Sequence, residues 1–462
     1  MSLADVYRRL PVPAQDVMAT AYGLRQLPVR HGGRYRAHAA DLEVRQWWDA
    51  ERLREDQDRR VRATVTWCAA RVPHYRDTFR ELGIDPLEVR TAADLAVLPT
   101  VDKEQVRAEP ERFRPDPPLP RVVPQTTGGT TGLPLRYWAT RDAVRFNYAT
   151  YEVRTRRWAG VRLGDRMASF HGQPIVPAGQ ATGPFWRRNL AFNQLYCSVY
   201  HLSDEHLPAY VDELERFDPV VVAGYTSAVH RLAVHLLATG QVGRIRPRAV
   251  LVSSETLFPE HRREIEEGLG CRVTDAYSLG ELVAYASGCE LGHMHVSTEY
   301  GVIELLDDGS GAREIVATGL INEAMPLLRY RTGDVAASLD DGRCACGRGL
   351  PRVAGLSGRA DDVVRTPDGT TVGPAPMSLA FQRVPNLRRA QVRQDDPSEL
   401  TVLLEVTPAF GDDDEAFLDA ELHRRLGPSI RLRFERVDVL PRTGGGKERL
   451  IVSTIGRTGG PS

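Results

Sequence analysis

PVVVAGYTSAVHRLAVHLLATG, residues 219–240, decides the fold. PVVVAG (219–224) is a short apolar run of strand length, and TSAVHRLAVHLLATG (226–240) has helical length and ends at a glycine. The pattern then repeats. RAVLVSS (248–254) reads as a second strand, and PEHRREIEEGLG (259–270) as a helix with Pro at its start and Gly at its end. RVTDAYS (272–278) reads as a third strand. Strand–helix–strand–helix–strand predicts a parallel sheet in an α/β protein. Ligands on such sheets bind beyond the carboxyl ends of the strands. That rule puts SSET (253–256) and DAYSLGE (275–281) at a candidate ligand edge.

Downstream, GVIELLDDGSGAREIVATG (301–319) carries two alternating runs around DDGSG, a hairpin turn. LLRYRTGDVA (327–336) follows, and its Gly-Asp pair predicts an acid on a turn. GLSGRADDVVRTPDGTTVGP (355–374) is rich in Gly and charge and reads as a boundary. Beyond it, LTVLLEVTP (400–408), DDEAFLDAELHRRLG (413–427) and IRLRFERVDVL (430–440) read as strand, helix and strand of a compact α+β unit. That unit ends in PRTGGGKERL (441–450), with Lys447 among glycines. Upstream, residues 1 to about 80 are charged and helical in pattern, and residues 84–124 are Pro-rich and irregular. The segment 38–72 has helical length with neither Gly nor Pro, and its Trp47 and Trp48 are expected to anchor packing.

A chain of 462 residues is too long for one core, and a 42% hydrophobic composition is enough for large ones. The net charge of −1 gives no electrostatic footprint for nucleic acid or an anionic membrane. No apolar run approaches the length of a membrane span. The opening MSLADVYRRLPVPAQ lacks an apolar signal core, so a cytoplasmic protein is expected. Six scattered cysteines make no disulfide framework. Lys and Arg total 60, of which only Lys103 and Lys447 are lysine, leaving 58 arginines. A lysine retained in such a chain points to a need for a compact ammonium, which Arg cannot mimic.

QTTGGTTGLPLR (125–136) is the densest run of small and hydroxylated residues. Glycine lets backbone approach a ligand closely, and threonine hydroxyls donate hydrogen bonds, so the run reads as a phosphate-wrapping loop. It lacks the lysine of a P-loop and the spacing of a dinucleotide fingerprint.

TTGGTTGLP, YSLGE, YRTGD, GRADD and PRTGGGK, in that order from residue 126 to 450, resemble the signatures of the adenylate-forming superfamily of acyl-CoA ligases and adenylation domains. The opening (VPHYRDTF…LPTVDKEQVR) and the Cys-x-Cys-Gly-Arg stretch are most similar to the phenylacetate–CoA ligase branch and its capsule-biosynthesis-like relatives. The resemblance implies a large N-terminal multi-subdomain α/β region (1–358) and a small mobile C-terminal α+β domain (359–462). It implies AMP-forming activation of a carboxylic acid by ATP, an aromatic acid by branch, followed by transfer to coenzyme A. An organic or inorganic acid passed to an amine or other acceptor is the alternative, and a degenerate ligase fold used for binding is a third. The expected partners are the acid and coenzyme A or an amine, with a homodimer among the expectations.

By the same resemblance, Thr126, Thr127, Gly128, Gly129, Thr130, Thr131 and Gly132 would hold the β- and γ-phosphates, and Lys447 would bridge the acyl carboxylate and the α-phosphate. Glu281 would hold Mg²⁺. Ser254, Glu255 and Thr256 would line the adenine pocket beside Asp275, Ala276, Tyr277 and Ser278. Asp334 would accept the ribose hydroxyls, Arg359 would contact ribose or phosphate, and Asp361 would be the hinge. Gly280 and Leu133 depart from the family pattern, which more often has a hydroxyl residue and a lysine there. His171 and Trp186, in HGQPIVPAGQATGPFWRRN (171–189), are candidates for the acid pocket.

GCELGHMHVSTEY places Cys289, His293 and His295 together, and CACG about 50 residues on supplies Cys344 and Cys346. Three Cys and one His make a tetrahedral zinc set with no open position, which is a structural site. The branch has similar Cys and His positions here, and its pattern of His before a β-branched residue favours His295 over His293.

Overall fold

A computed structural model describes residues 3–126, 135–173, 175–177, 180–255, 257, 259–307, 313–356, 364–368, 371–372, 374–381, 383–438, 440–441 and 450–455. The alternation at 219–278 forms as expected. Strands Val221–Tyr225, Ala249–Ser253 and Val273–Ser278 run parallel, linked by helices Thr226–Ala238 and Pro259–Leu269. Met167–Phe170 and Gln194–Cys197 extend the parallel set on one side. Antiparallel strands complete the ten-stranded sheet: Trp186–Asn189 at one edge, and Tyr285–Gly288, Met294–Val296, Arg352–Ala354 and Ser338–Asp340 toward the other. Its central strands are buried along nearly their whole length, which is why 219–224 reads as a continuous apolar run. In Val221–Tyr225 the backbone approach requires glycine: a Cβ on Gly224 would lie 2.4 Å from the Phe170 carbonyl oxygen.

The hairpin at 301–319 forms as Gly301–Asp307 against Arg313–Gly319, and Tyr330–Val335 adds a third strand. The N-terminal third is helical, but 38–72 is not one helix. Tyr35–Arg45 ends before Gln46, and Ala50–Arg71 starts afresh with Asp49 capping the Arg52 N–H at 2.8 Å. An N-cap aspartate accounts for the new start. Trp48 lies between the guanidinium groups of Arg45 and Arg52, while Trp47 is exposed beside Arg348.

The last hundred residues have their own core. Val364, Phe381, Val392 and Val402 meet Leu418 and Leu422, which the helix Asp412–Leu426 buries. The strands of this unit are ordered Arg431–Arg436, Glu399–Val406, Leu387–Asp396 and Ile451–Ser453. The α/β region with a smaller C-terminal α+β unit is therefore the observed fold class. The expected boundary at 358/359 falls outside the described residues.

Candidate functional site

Three segments meet beyond the carboxyl end of Val273–Ser278. The first is Leu279–Glu281, which directly follows that strand. The second is Tyr330–Val335, and the third is the chain around Val101, which pairs in parallel with Tyr330. Val101 N–H donates to the Arg329 carbonyl at 3.0 Å, and Arg331 N–H donates to the Val101 carbonyl at 2.8 Å. This bridge delivers Lys103, the first residue of helix Lys103–Ala108, whose start is fixed by a capping box between Asp102 and Gln105.

Glu281 is 6% exposed. Its Oε1 accepts from the Tyr330 hydroxyl at 3.0 Å and lies 3.7 Å from Lys103 Nζ. Burial, and next the Glu281 charge, push the Tyr330 phenol well above its ordinary value, so it stays a donor. A buried carboxylate with an ammonium and a phenol on it can hold a hard cation through its remaining electron pairs.

Asp334 lies in a strand, not on the expected turn. The strand Tyr330–Val335 carries an irregularity in register opposite Glu314–Val316, and Gly333 takes φ +75° there. The left-handed conformation is what glycine supplies. Thr332 Oγ1 donates to the Ile315 carbonyl at 2.8 Å and accepts the Asp334 N–H at 3.1 Å, which satisfies the backbone of the bulge. Asp334 Oδ2 then accepts from the Tyr277 hydroxyl at 2.9 Å. Burial, and next the Asp334 charge, raise the Tyr277 phenol well above its ordinary value.

On the neighbouring strand end, Ser254 has φ +71° and is exposed. Glu255 Oε2 accepts the Ser227 N–H at 2.8 Å at the start of helix Thr226–Ala238, and burial raises its carboxyl. Asp275 is pushed up to about 6 by burial, against the opposing pull of Arg262. Ala276 is buried and Ser278 exposed on the same strand. Thr126 ends the strand Val123–Thr126, paired with Arg136 of Arg136–Ala139. Thr127, Gly128, Gly129, Thr130, Thr131, Gly132, Thr256, Arg359, Asp361 and Lys447 lie outside the described residues.

His171 follows Met167–Phe170 at the same end of the sheet. Its Nδ1 is 2.8 Å from Ser169 Oγ, and its ring meets Tyr225 edge-on at 5.7 Å. Burial lowers its pKa to about 4, so the imidazole is neutral at neutral pH. Trp186 lies on the outermost strand and packs against the sheet's core, edge-on to Tyr210 at 5.6 Å.

Cys289, His295, Cys344 and Cys346 bring one ligand atom each within 4.8 Å of one another. His295 is buried, and its Nδ1 lies 2.9 Å from the Leu350 carbonyl, which turns Nε2 toward Cys346 Sγ at 3.4 Å. A carbonyl on the far ring nitrogen is the usual support for a metal-binding imidazole. His293 is exposed, with Nδ1 3.1 Å from Cys344 Sγ.

A family model described as the CapK C-terminal domain matches residues 364–454. Protein CapK of Staphylococcus aureus is 25% identical over 452 residues, spanning 97% of this chain and 99% of that one. The phenylacetate-coenzyme A ligase of Thermus thermophilus is 26% identical over 352 residues, spanning 73% of this chain and 77% of that one. This chain is a homologue of CapK and the phenylacetate–CoA ligases. Among solved structures, a 2-hydroxyisobutyryl-CoA ligase in complex with 2-HIB-AMP and CoA aligns over 88% of this chain and 91% of that one, with TM-score 0.56 and 19% identity, a likeness of fold. These are the superfamily and branch that the motifs resemble.

The structure brings Lys103 to Glu281, a neighbour that motif reading passed over. Lys103 was visible as one of two lysines, but nothing local connects it to Glu281; the scarcity of lysine was the available signal.

Asp275 gives a pH prediction. Its carboxyl is raised in the folded chain, so the folded state binds that proton more tightly than the unfolded state does. Its contribution to stability is therefore greatest at low pH and falls as pH rises from about 4 to about 6. Asp275→Asn should flatten that fall by on the order of 1–3 kcal/mol. Thermal unfolding of both proteins from pH 4 to 7 measures it, and parallel pH profiles would refute it.

Proposed function

We propose that this protein activates a carboxylic acid with ATP, forming an acyl-adenylate and pyrophosphate, and then transfers the acyl group with release of AMP. The observation that carries the reading is the joint placement of Glu281 with Lys103 and Tyr330, and of Asp334 with Tyr277, at the carboxyl end of the parallel sheet. The two homologues and the fold support it.

In the first step an acid oxygen forms a bond to the α-phosphorus and the bond to the β-phosphate oxygen breaks, so pyrophosphate leaves. Glu281 would hold Mg²⁺, which would neutralise phosphate charge. Lys103 offsets the Glu281 charge and fixes its position, while Tyr330 fills one electron pair of Oε1. Asp334, oriented by Tyr277, would accept the ribose hydroxyls. The glycine–threonine loop and Lys447 would complete the phosphate contacts. Neutral His171 can donate a hydrogen bond to a bound acid without adding charge. An aromatic acid is the substrate class that the phenylacetate–CoA ligase homologue favours.

Coenzyme A is the first acceptor to test. An amine or other nucleophile is the alternative acceptor. Incubation with ATP, Mg²⁺ and pooled aryl, alkyl and amino acids, with and without coenzyme A, should yield acid-dependent AMP. Lys447→Ala should slow adenylation by roughly 10²–10³-fold, the scale for losing one transition-state stabiliser. Transfer from supplied acyl-AMP should suffer much less. ADP as product, or equal loss in both steps, would refute the assignment.

Cys289, His295, Cys344 and Cys346 are proposed to bind structural zinc, joining two neighbouring connections at one edge of the sheet. Elemental analysis of protein prepared without chelators should find about one zinc per chain, as a closed four-ligand site requires. Cys344→Ser should lower both zinc content and melting temperature. Zinc-free, fully stable protein would contradict the site.

A further inference from the structure

The turn Val199–His201 stands between the acid side of the proposed pocket and the C-terminal unit. On one side, the Tyr200 hydroxyl donates to the Gly172 carbonyl. Gly172 directly follows His171, whose ring meets Tyr225 edge-on at 5.7 Å. The turn itself is braced by Ser198 Oγ on His201 Nδ1 at 2.8 Å and by His201 stacked on Phe185 at 5.0 Å.

On the other side is Arg425, in the last turn of helix Asp412–Leu426. Its guanidinium lies 5.7 Å from the Tyr200 ring centroid. Arg425 is 2% exposed and paired with Glu421 at 2.7 Å. Glu421 has two further cations, Arg424 at 2.8 Å and Arg383 at 3.4 Å. A second contact between the same two parts of the chain runs from Arg231, paired with Asp204 at 2.7 Å, to the Asp368 carbonyl at 3.5 Å.

We propose that Tyr200 is a positioning residue for the acid, tying the backbone beside His171 to Arg425 so that the acid side of the pocket is set by the position of the C-terminal unit. The proposal rests on the acid-activation reading above. Tyr200 works through the Gly172 peptide and Arg425 works through Tyr200. A change in the seating of the C-terminal helix would alter the donor that fixes Gly172, and with it the edge of the pocket.

Two variants test it. Tyr200→Phe removes the hydroxyl and keeps the ring against Arg425. Arg425→Met removes the cation and leaves Glu421 paired with Arg383 and Arg424. In AMP formation each should raise KM for the acid by about two- to tenfold, the range for one net hydrogen bond, with little change in KM for ATP. The double variant should be no worse than the more affected single variant, because both act through one path. Unchanged acid KM in Tyr200→Phe, equal changes for acid and ATP, or additive effects would overturn the proposal.

Hydrogen exchange reads the same link without activity. Arg425→Met should speed exchange of the Gly172 amide, although the substitution lies in the other unit; unchanged exchange would overturn the coupling. If no acid yields AMP even with the unaltered protein, the acid-activation reading fails, and exchange at Gly172 still decides the link.

Discussion

A buried carboxylate is the constraint on which the site depends. Removing a charge from water costs several kcal/mol unless partners replace the lost solvation. Glu281 obtains those partners from Lys103 and Tyr330, which lie far from it in sequence. Both are delivered by one short parallel bridge between Val101 and Tyr330. Arg329, just before Tyr330, anchors that bridge. It takes φ +49°, donates its N–H to Thr318 Oγ1 at 2.9 Å, and binds Glu304 and the Ala96 and Leu98 carbonyls with its side chain. The three-stranded sheet, the N-terminal helices and the central sheet are thereby held to one another at the carboxylate.

The same short strand serves both halves of the site. Tyr330 at its start reaches Glu281, and Asp334 near its end reaches Tyr277. Between them, Thr332 and Gly333 form the bulge, with the threonine hydroxyl replacing ladder hydrogen bonds. Tyr330, the hydrogen-bond partner of Glu281, and Asp334 are therefore linked by one continuous piece of strand backbone. In the proposed reading, Glu281 would serve the phosphate side and Asp334 the ribose side of one nucleotide.

What could be read from the sequence followed from local chemistry. The strands at 221–225, 249–253 and 273–278 were legible because parallel strands buried on both faces are apolar throughout. The order of Tyr277, Glu281 and Asp334 along the chain carried the family resemblance. Lys103 was not legible as a partner of Glu281, because the Val101–Tyr330 bridge has no local signature. The antiparallel strands that widen the sheet were missed for the same reason. The break at Gln46–Asp49 was hidden by a stretch without Gly or Pro; only the capping capacity of Asp49 marked it. Asp334 was expected on a turn because Gly-Asp is common there, whereas pairing with Arg313–Gly319 draws it into a strand.

The Cys–His cluster and the proposed nucleotide site occupy different parts of the sheet and ask different things of it. Four ligand atoms at one edge can lock the antiparallel strands, while the parallel half presents its carboxyl ends to a ligand. The central claim is that Glu281 and its partners serve adenylate formation. Acid-dependent exchange of labelled pyrophosphate into ATP, measured without any acceptor, tests it most directly. The account predicts exchange with the unaltered protein and its loss in Glu281→Gln. Exchange that persists undiminished in Glu281→Gln would contradict it.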